Sequence, residues 1–125
     1  MAQAALGRKT MTDMKDATET VTFALHLKPG AADEYRRRHD AIWPELVALQ
    51  HASGILRYEI YLHESTGLLF AYIERRVDHR MDNFPNSEVW RRWQACMSGL
   101  IEQRDGIPVR DSLVRVFRMP ETATY

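Results

Sequence analysis

From Thr20 onward, apolar and polar positions alternate: Val21, Phe23, Leu25 and Leu27 are separated by Thr22, Ala24 and His26. A period of two puts the two sets on opposite faces of a strand, one of them buried. Pro29-Gly30 closes that strand, and the period then lengthens. Tyr35, His39, Ile42, Leu46 and Leu49 recur at spacings of four, three, four and three, one stripe of a helix from Ala31 to about Gln50. Pro44 lies inside that stripe and is expected to kink or restart the helix, since proline lacks an N–H and crowds the preceding turn. Ser53-Gly54 ends it.

The alternation returns from Arg57 to Glu64, with Tyr58, Ile60 and Leu62 on one face. Glu64-Ser65-Thr66-Gly67 forms a turn, and Leu68 to Arg76 is the next strand, so the two make an antiparallel hairpin. Asp78 to Asn86 is polar and holds Pro85, which suits a short helix followed by a loop. Ser87 is a candidate N-cap for a helix from Glu88 to about Glu102. Gln103 to Pro108 is expected to be a loop containing Asp105-Gly106. Ser112 to Met119 alternates as a last strand, with Leu113, Arg115, Phe117 and Met119 on one side.

The order β-α-β-β-α-β predicts an α+β fold, the ferredoxin-like split βαβ unit: an antiparallel four-stranded sheet with both helices on one face. Tyr61, Tyr72 and Phe117 would then need cover on the other face. A homodimer with facing sheets, a dimeric α+β barrel, or a ligand cavity under that face supplies it.

Composition narrows the class. A chain of 125 residues is one domain. Residues 1–19 set Arg8, Lys9 and Lys15 against Asp13, Asp16 and Glu19 with no periodicity, and read as a disordered N-terminal tail. The domain then spans 20–120, and 121–125 is a C-terminal tail. Seventeen basic and seventeen acidic residues cancel, which argues against a nucleic-acid partner, since gripping phosphate backbones needs a basic excess. No apolar run reaches the roughly 18–20 residues that cross a bilayer, so no membrane partner is expected. Cys96 is the sole cysteine, which fits a reducing, cytoplasmic setting. His26, His39, His51, His63 and His79 form no spacing suited to zinc, and there is no phosphate-binding glycine loop, so no metal site is expected.

The densest chemistry lies on the first helix. Tyr35 and His39, four apart, stack on the inward stripe. An imidazole facing a cavity beside a phenol suits proton transfer, because its reference pKa is about 6.5. A core histidine bonded to backbone would look the same. Trp93 shares a stripe with Val89, Cys96, Met97 and Leu100, which suits core packing. Arg36 and Arg37 fall off the stripe and are expected in solvent.

The segment Glu34-Tyr35-Arg36-Arg37-Arg38-His39-Asp40-Ala41-Ile42-Trp43-Pro44-Glu45-Leu46 resembles the fingerprint of the L-rhamnose mutarotase family. The likeness extends to Arg57–Leu62, Leu68–Ala71, Arg92-Trp93 and the ending Pro108-Val109 … Leu113–Pro120, about residues 20–120. That resemblance implies a small dimeric ferredoxin-like isomerase without cofactors, which interconverts the α and β anomers of L-rhamnose or a related hexose. It implies His39 as the catalytic proton donor, Tyr35 and Tyr58 as substrate contacts, and Trp93 as the first of a tryptophan pair packed on the sugar. Gln94 stands where the second tryptophan would be, and Gln103–Pro108 keeps only Asp105 and Pro108 of the family's loop. Gln94 and Asp105 are therefore further candidates for sugar contacts. Rival readings are a cofactor-independent monooxygenase on the same barrel and a non-catalytic sugar-binding or dimerisation module.

Overall fold

The computed structural model describes residues 17–123. The elements are β1 (Thr18–His26), α1 (Ala32–Asp40), α2 (Pro44–Ala52), β2 (Ile55–His63), β3 (Leu68–Arg76) and α3 (Glu88–Met97). Three short strands follow: β4 (Gln103–Arg104), β5 (Ile107–Pro108) and β6 (Arg110–Ser112). The main sheet runs β2-β3-β1-β6, every pair antiparallel. This is the expected ferredoxin-like order, with the helices packed on one face.

The core lies between helices and sheet. Leu27, Tyr35, Leu46, Leu69, Trp93 and Met97 belong to one cluster, and Leu46 has no exposed surface. Phe23, Ile55, Ala71, Ile73 and Phe84 form a second cluster towards the other end of the sheet. Arg38 ties the helical layer together. Its Nε–H donates to Glu34 Oε2 at 2.6 Å, and its Nη1 donates to the Cys96 carbonyl on α3.

Several boundaries differ from expectation, each for a local reason. The helical stretch expected over Ala31–Gln50 restarts at Pro44, one of the two outcomes expected there, and so forms two helices with Pro44 as the first residue of α2 and an end at Ala52. Trp43 is extended at φ −67°, ψ 130°, the conformation that a following proline imposes. The tail expected to reach residue 19 ends earlier, because Thr18 and Glu19 pair with Arg76 and Arg75 in β1. Arg75 also holds Glu19 in an ion pair at 2.7 Å. Residues 1–16, most of the expected N-terminal tail, and 124–125, the last two of the expected C-terminal tail, lie outside the described residues.

The second helix stops at Met97 and narrows to a 3₁₀ turn, Ser98–Leu100, instead of reaching Glu102. Ser87 caps its start as expected, its Oγ accepting from the Trp90 N–H at 3.3 Å. Asp78–Asn86 holds a 3₁₀ helix, Met81–Asn86. The expected loop Gln103–Pro108 is a small hairpin, β4–β5, turning on Asp105 (φ 54°) and Gly106 (φ 78°). Positive φ at both central residues is the tight-hairpin signature.

That hairpin interrupts the fourth strand. Ile101 bridges Leu27, the hairpin loops out, and β6 then resumes against β1 with Arg110 opposite Leu25. The strand expected over Ser112–Met119 is a correction: ladder pairing ends at Ser112, Leu113 keeps a last bond from its N–H to the Thr22 carbonyl at 3.4 Å, and residues 114–120 lie exposed. Alternation marks a sequence fit to be a strand, yet a strand forms only where a partner edge exists.

Candidate active site

A cavity of about 930 Å³ opens between the helical layer and the sheet. Tyr35 and His39 of α1 and Trp90, Trp93 and Gln94 of α3 line it from the helical side. Phe23, Leu25, Tyr58, Ile60 and Leu62 form the sheet floor, while Ile107, Pro108 and Arg110 close one end. Its volume is that of small-molecule sites, apolar walls with a few polar groups.

The helical wall is built on one stripe. Tyr35 and His39 are one turn apart, and their rings stack at 4.3 Å between centroids with 29° between planes. Trp93 meets His39 edge-on at 5.3 Å and Trp43 edge-on at 5.2 Å. Arg92 lies over Trp43, its Cζ 5.1 Å from the ring. The imidazole is thus held between a phenol and an indole.

His39 Nδ1 lies 3.1 Å from the Tyr35 carbonyl oxygen. A carbonyl only accepts, so Nδ1 carries the proton and donates, which leaves a lone pair on Nε2. Burial pulls the His39 pKa below its ordinary value, against the opposing pull of the Tyr35 carbonyl and Asp40. At neutral pH His39 is therefore a neutral imidazole, able to take a proton at Nε2. Tyr35 is 7% exposed, and burial, with Tyr58 adding to it, pushes its phenol well above the usual range. Tyr58 keeps 36% of its surface exposed, but crowding around its phenol raises that group too, with Arg110 opposing. Both phenols stay protonated and can donate hydrogen bonds.

Most of the residues singled out from the sequence meet here. His39, Tyr35, Tyr58, Trp93 and Gln94 all line the one cavity. Trp93 is 6% exposed, a core member that also forms part of the cavity wall. Asp105 is not brought to the site, since it sits exposed at the tip of the β4–β5 turn and is not among the lining residues. Arg36, expected in solvent, is exposed but stands at the rim of the cavity. Arg37 is exposed and paired with Glu34, whose carboxyl the hydrogen bonds from Arg37 and then Arg38 hold at about 2.

Trp90 and Arg110 also line the cavity, though sequence reasoning passed over both, and Trp43 stands just behind Trp93. Trp43 carried a signal, being part of the quoted fingerprint. Arg110 carried none, because its place depends on the hairpin before it. Its Cζ lies 3.8 Å from the Phe23 ring centroid in the cavity floor. Among the described residues no group of His, Cys, Asp and Glu is placed to hold a metal ion. No helix among them is long and apolar enough to cross a membrane.

This fold with these groups defines a class, an α+β domain whose cavity is suited to acid–base chemistry on a small polar ligand. The particular family follows from relatives. The family model for L-rhamnose mutarotase matches residues 20–119, and the chain belongs to that family. An L-rhamnose mutarotase of Burkholderia cenocepacia (strain HI2424) is 47% identical over 102 residues, covering 81% of this chain and 98% of the relative. One of Jannaschia sp. (strain CCS1) is 46% identical over 103 residues, covering 82% and 99%. The crystal structure of an L-rhamnose mutarotase from Formosa agariphila superposes with a TM-score of 0.71 at 32% identity, covering 82% of this chain and 99% of that one. A dimeric ferredoxin-like protein from an uncultured marine organism shares the fold at a TM-score of 0.54 and 13% identity, covering 88% and 99%.

Proposed function

We propose that this chain is a cytoplasmic mutarotase that interconverts the anomers of L-rhamnose or a closely related hexose, with His39 as its proton carrier. The observation that carries the residue assignment is the bond from Nδ1 to the Tyr35 carbonyl, which leaves Nε2 of a neutral imidazole for the substrate. The family match runs over nearly the whole folded region, which leaves the monooxygenase and the non-catalytic readings without support.

The chemistry requires one proton to change oxygens. In the pyranose, the anomeric oxygen O1 and the ring oxygen O5 are both bonded to C1. His39 Nε2 takes the proton from O1 as the C1–O5 bond breaks and the aldehyde forms. The resulting imidazolium delivers that proton to O5. Rotation about C1–C2 presents the other aldehyde face, and the steps reverse. His39 is thus base first and donor second, and a lowered pKa makes its imidazolium the stronger acid. Tyr35 and Tyr58, held protonated, donate hydrogen bonds to sugar oxygens. Trp93 offers an apolar wall for C–H groups, and Gln94 and Arg110 offer donors to hydroxyls at the cavity end.

Saturation-transfer NMR of α/β exchange tests this directly. The wild type should accelerate exchange of L-rhamnose, and His39→Asn should lower the rate by about 10²–10⁴-fold, the usual contribution of a general acid–base group. A fully active His39→Asn variant would remove His39 from the chemistry.

A further inference from the structure

A second cavity, of about 450 Å³, adjoins the first. Phe23, Tyr58, Trp90 and Arg110 line both, so the two share a wall. Arg75 of β3 and Met81, Asp82 and Phe84 of the 3₁₀ helix belong to the second cavity alone.

Two rows of contacts lead from His39 to that shared wall. On α3, Trp93 meets His39, and Trp90, one turn earlier, meets Phe84 at 4.7 Å between centroids. On the other row, Tyr35 stacks on His39, Tyr58 faces Tyr35 closely enough to push its phenol up, and Arg110 acts in turn on Tyr58. A ligand that starts at His39 and runs along either row therefore enters the second cavity. The first cavity, at about 930 Å³, already lies near the upper end of the roughly 300–1,000 Å³ range of sites that enclose drug-sized ligands, and one pyranose ring needs no second.

We propose that the second cavity is a subsite for the next ring of a reducing disaccharide, so that the chain acts on the free reducing end of a larger saccharide as well as on a free hexose. The proposal rests on the mutarotase reading of the first cavity. The walls suit a sugar ring. Trp90 and Phe84 give aromatic surface for a C–H face. Asp82 is exposed and has no ion-pair partner among the described residues, so its carboxylate can accept from hydroxyls. Arg75 is held by Glu19, 2.7 Å from its Nη2, and by Met81 Sδ, 3.5 Å from its Nη1, which still leaves N–H groups for a ligand.

The chemistry is unchanged by the extra ring. Mutarotation involves only C1, O1 and O5, and O4 lies across the pyranose from C1. With a second sugar on O4, the proton still leaves O1 for His39 Nε2 and is delivered to O5 as the C1–O5 bond opens. The glycosidic bond stays intact throughout.

Saturation-transfer NMR on 4-O-β-D-glucopyranosyl-L-rhamnose and on L-rhamnose, each taken relative to its own uncatalysed exchange, tests the subsite. The disaccharide should show the higher kcat/KM, since binding of a remote ring adds to transition-state stabilisation. Asp82→Ala should lower kcat/KM for the disaccharide by about tenfold, and Asp82→Trp, which crowds the second cavity, by more. Both should leave L-rhamnose exchange and the urea midpoint as in the wild type, because Asp82 is exposed and lines only the second cavity. Accelerated L-rhamnose exchange with a lower kcat/KM for the disaccharide overturns the subsite and leaves the mutarotase reading standing. So does an equal loss for both sugars, or for neither, in the Asp82 variants. Acceleration of neither sugar by the wild type overturns the mutarotase reading and the subsite with it.

Discussion

The cavity has two unlike walls. On the helical side, Tyr35, His39 and Trp93 are locked by ring contacts, two of the three are core residues, and Arg38 bridges α1 to the Cys96 carbonyl on α3. On the sheet-and-hairpin side, Tyr58, Ile107 and Arg110 are exposed, and Arg110 rests on the Phe23 ring. On the proposed reading His39 hands a proton to one atom and has to be held still, and its two core neighbours, Tyr35 and Trp93, hold it. A group that only reads hydroxyls tolerates a looser, wetter setting. The contrast predicts that the helical wall governs rate and stability together, while the opposite wall governs which sugar is accepted.

The largest effect should come from Trp93→Ala. It removes a nearly buried indole that packs on both His39 and Trp43, and should cost about 3–5 kcal/mol in urea unfolding, in addition to slowing exchange. A loss under about 1 kcal/mol would show that the helical wall is not core at all.

Acid should expose the same wall through His39. Burial disfavours its charged form, so exchange should stay level from pH 8 down past the ordinary histidine value of about 6.5 and then fall tenfold per pH unit. The stability linkage has the same sign. The unfolded chain binds the proton more readily, so His39's contribution is complete above the unfolded pKa and is lost as pH drops through and below it. An apparent pKa of exchange above the ordinary histidine value would contradict the neutral, buried imidazole.

On the opposite wall, Arg110→Ala should raise KM for the sugar by about five- to tenfold with kcat nearly unchanged, and should leave urea unfolding as it was. A drop in kcat with constant KM would move Arg110 to the proton-transfer side. The smallest effect should be that of Gln94→Trp. An indole lies well against a C6 methyl, whereas an amide suits a hydroxyl. The ratio of exchange rates for L-rhamnose over L-mannose should therefore rise about twofold to tenfold, within what a single apolar contact supplies. An unchanged ratio would mean that Gln94, though part of the lining, does not meet C6.

Local periodicity carried most of the helical wall and the sheet interior. The spacing of Tyr35, His39, Ile42 and Leu46 determined which side of α1 faces inward, and alternation determined that Phe23, Tyr58 and Ile60 face the helices. Pro44 marked the break, and Ser87 marked the cap, because both act within a single turn. Tertiary structure alone decided the rest. It turned Gln103–Pro108 into a hairpin, took Asp105 away from the cavity, brought Arg110 onto Phe23, and left residues 113–119 without a ladder in their own chain. Each of those outcomes depends on partners far away along the chain. Side-chain periods report the two faces of a segment, whereas strand pairing depends on which other edge is free to receive it.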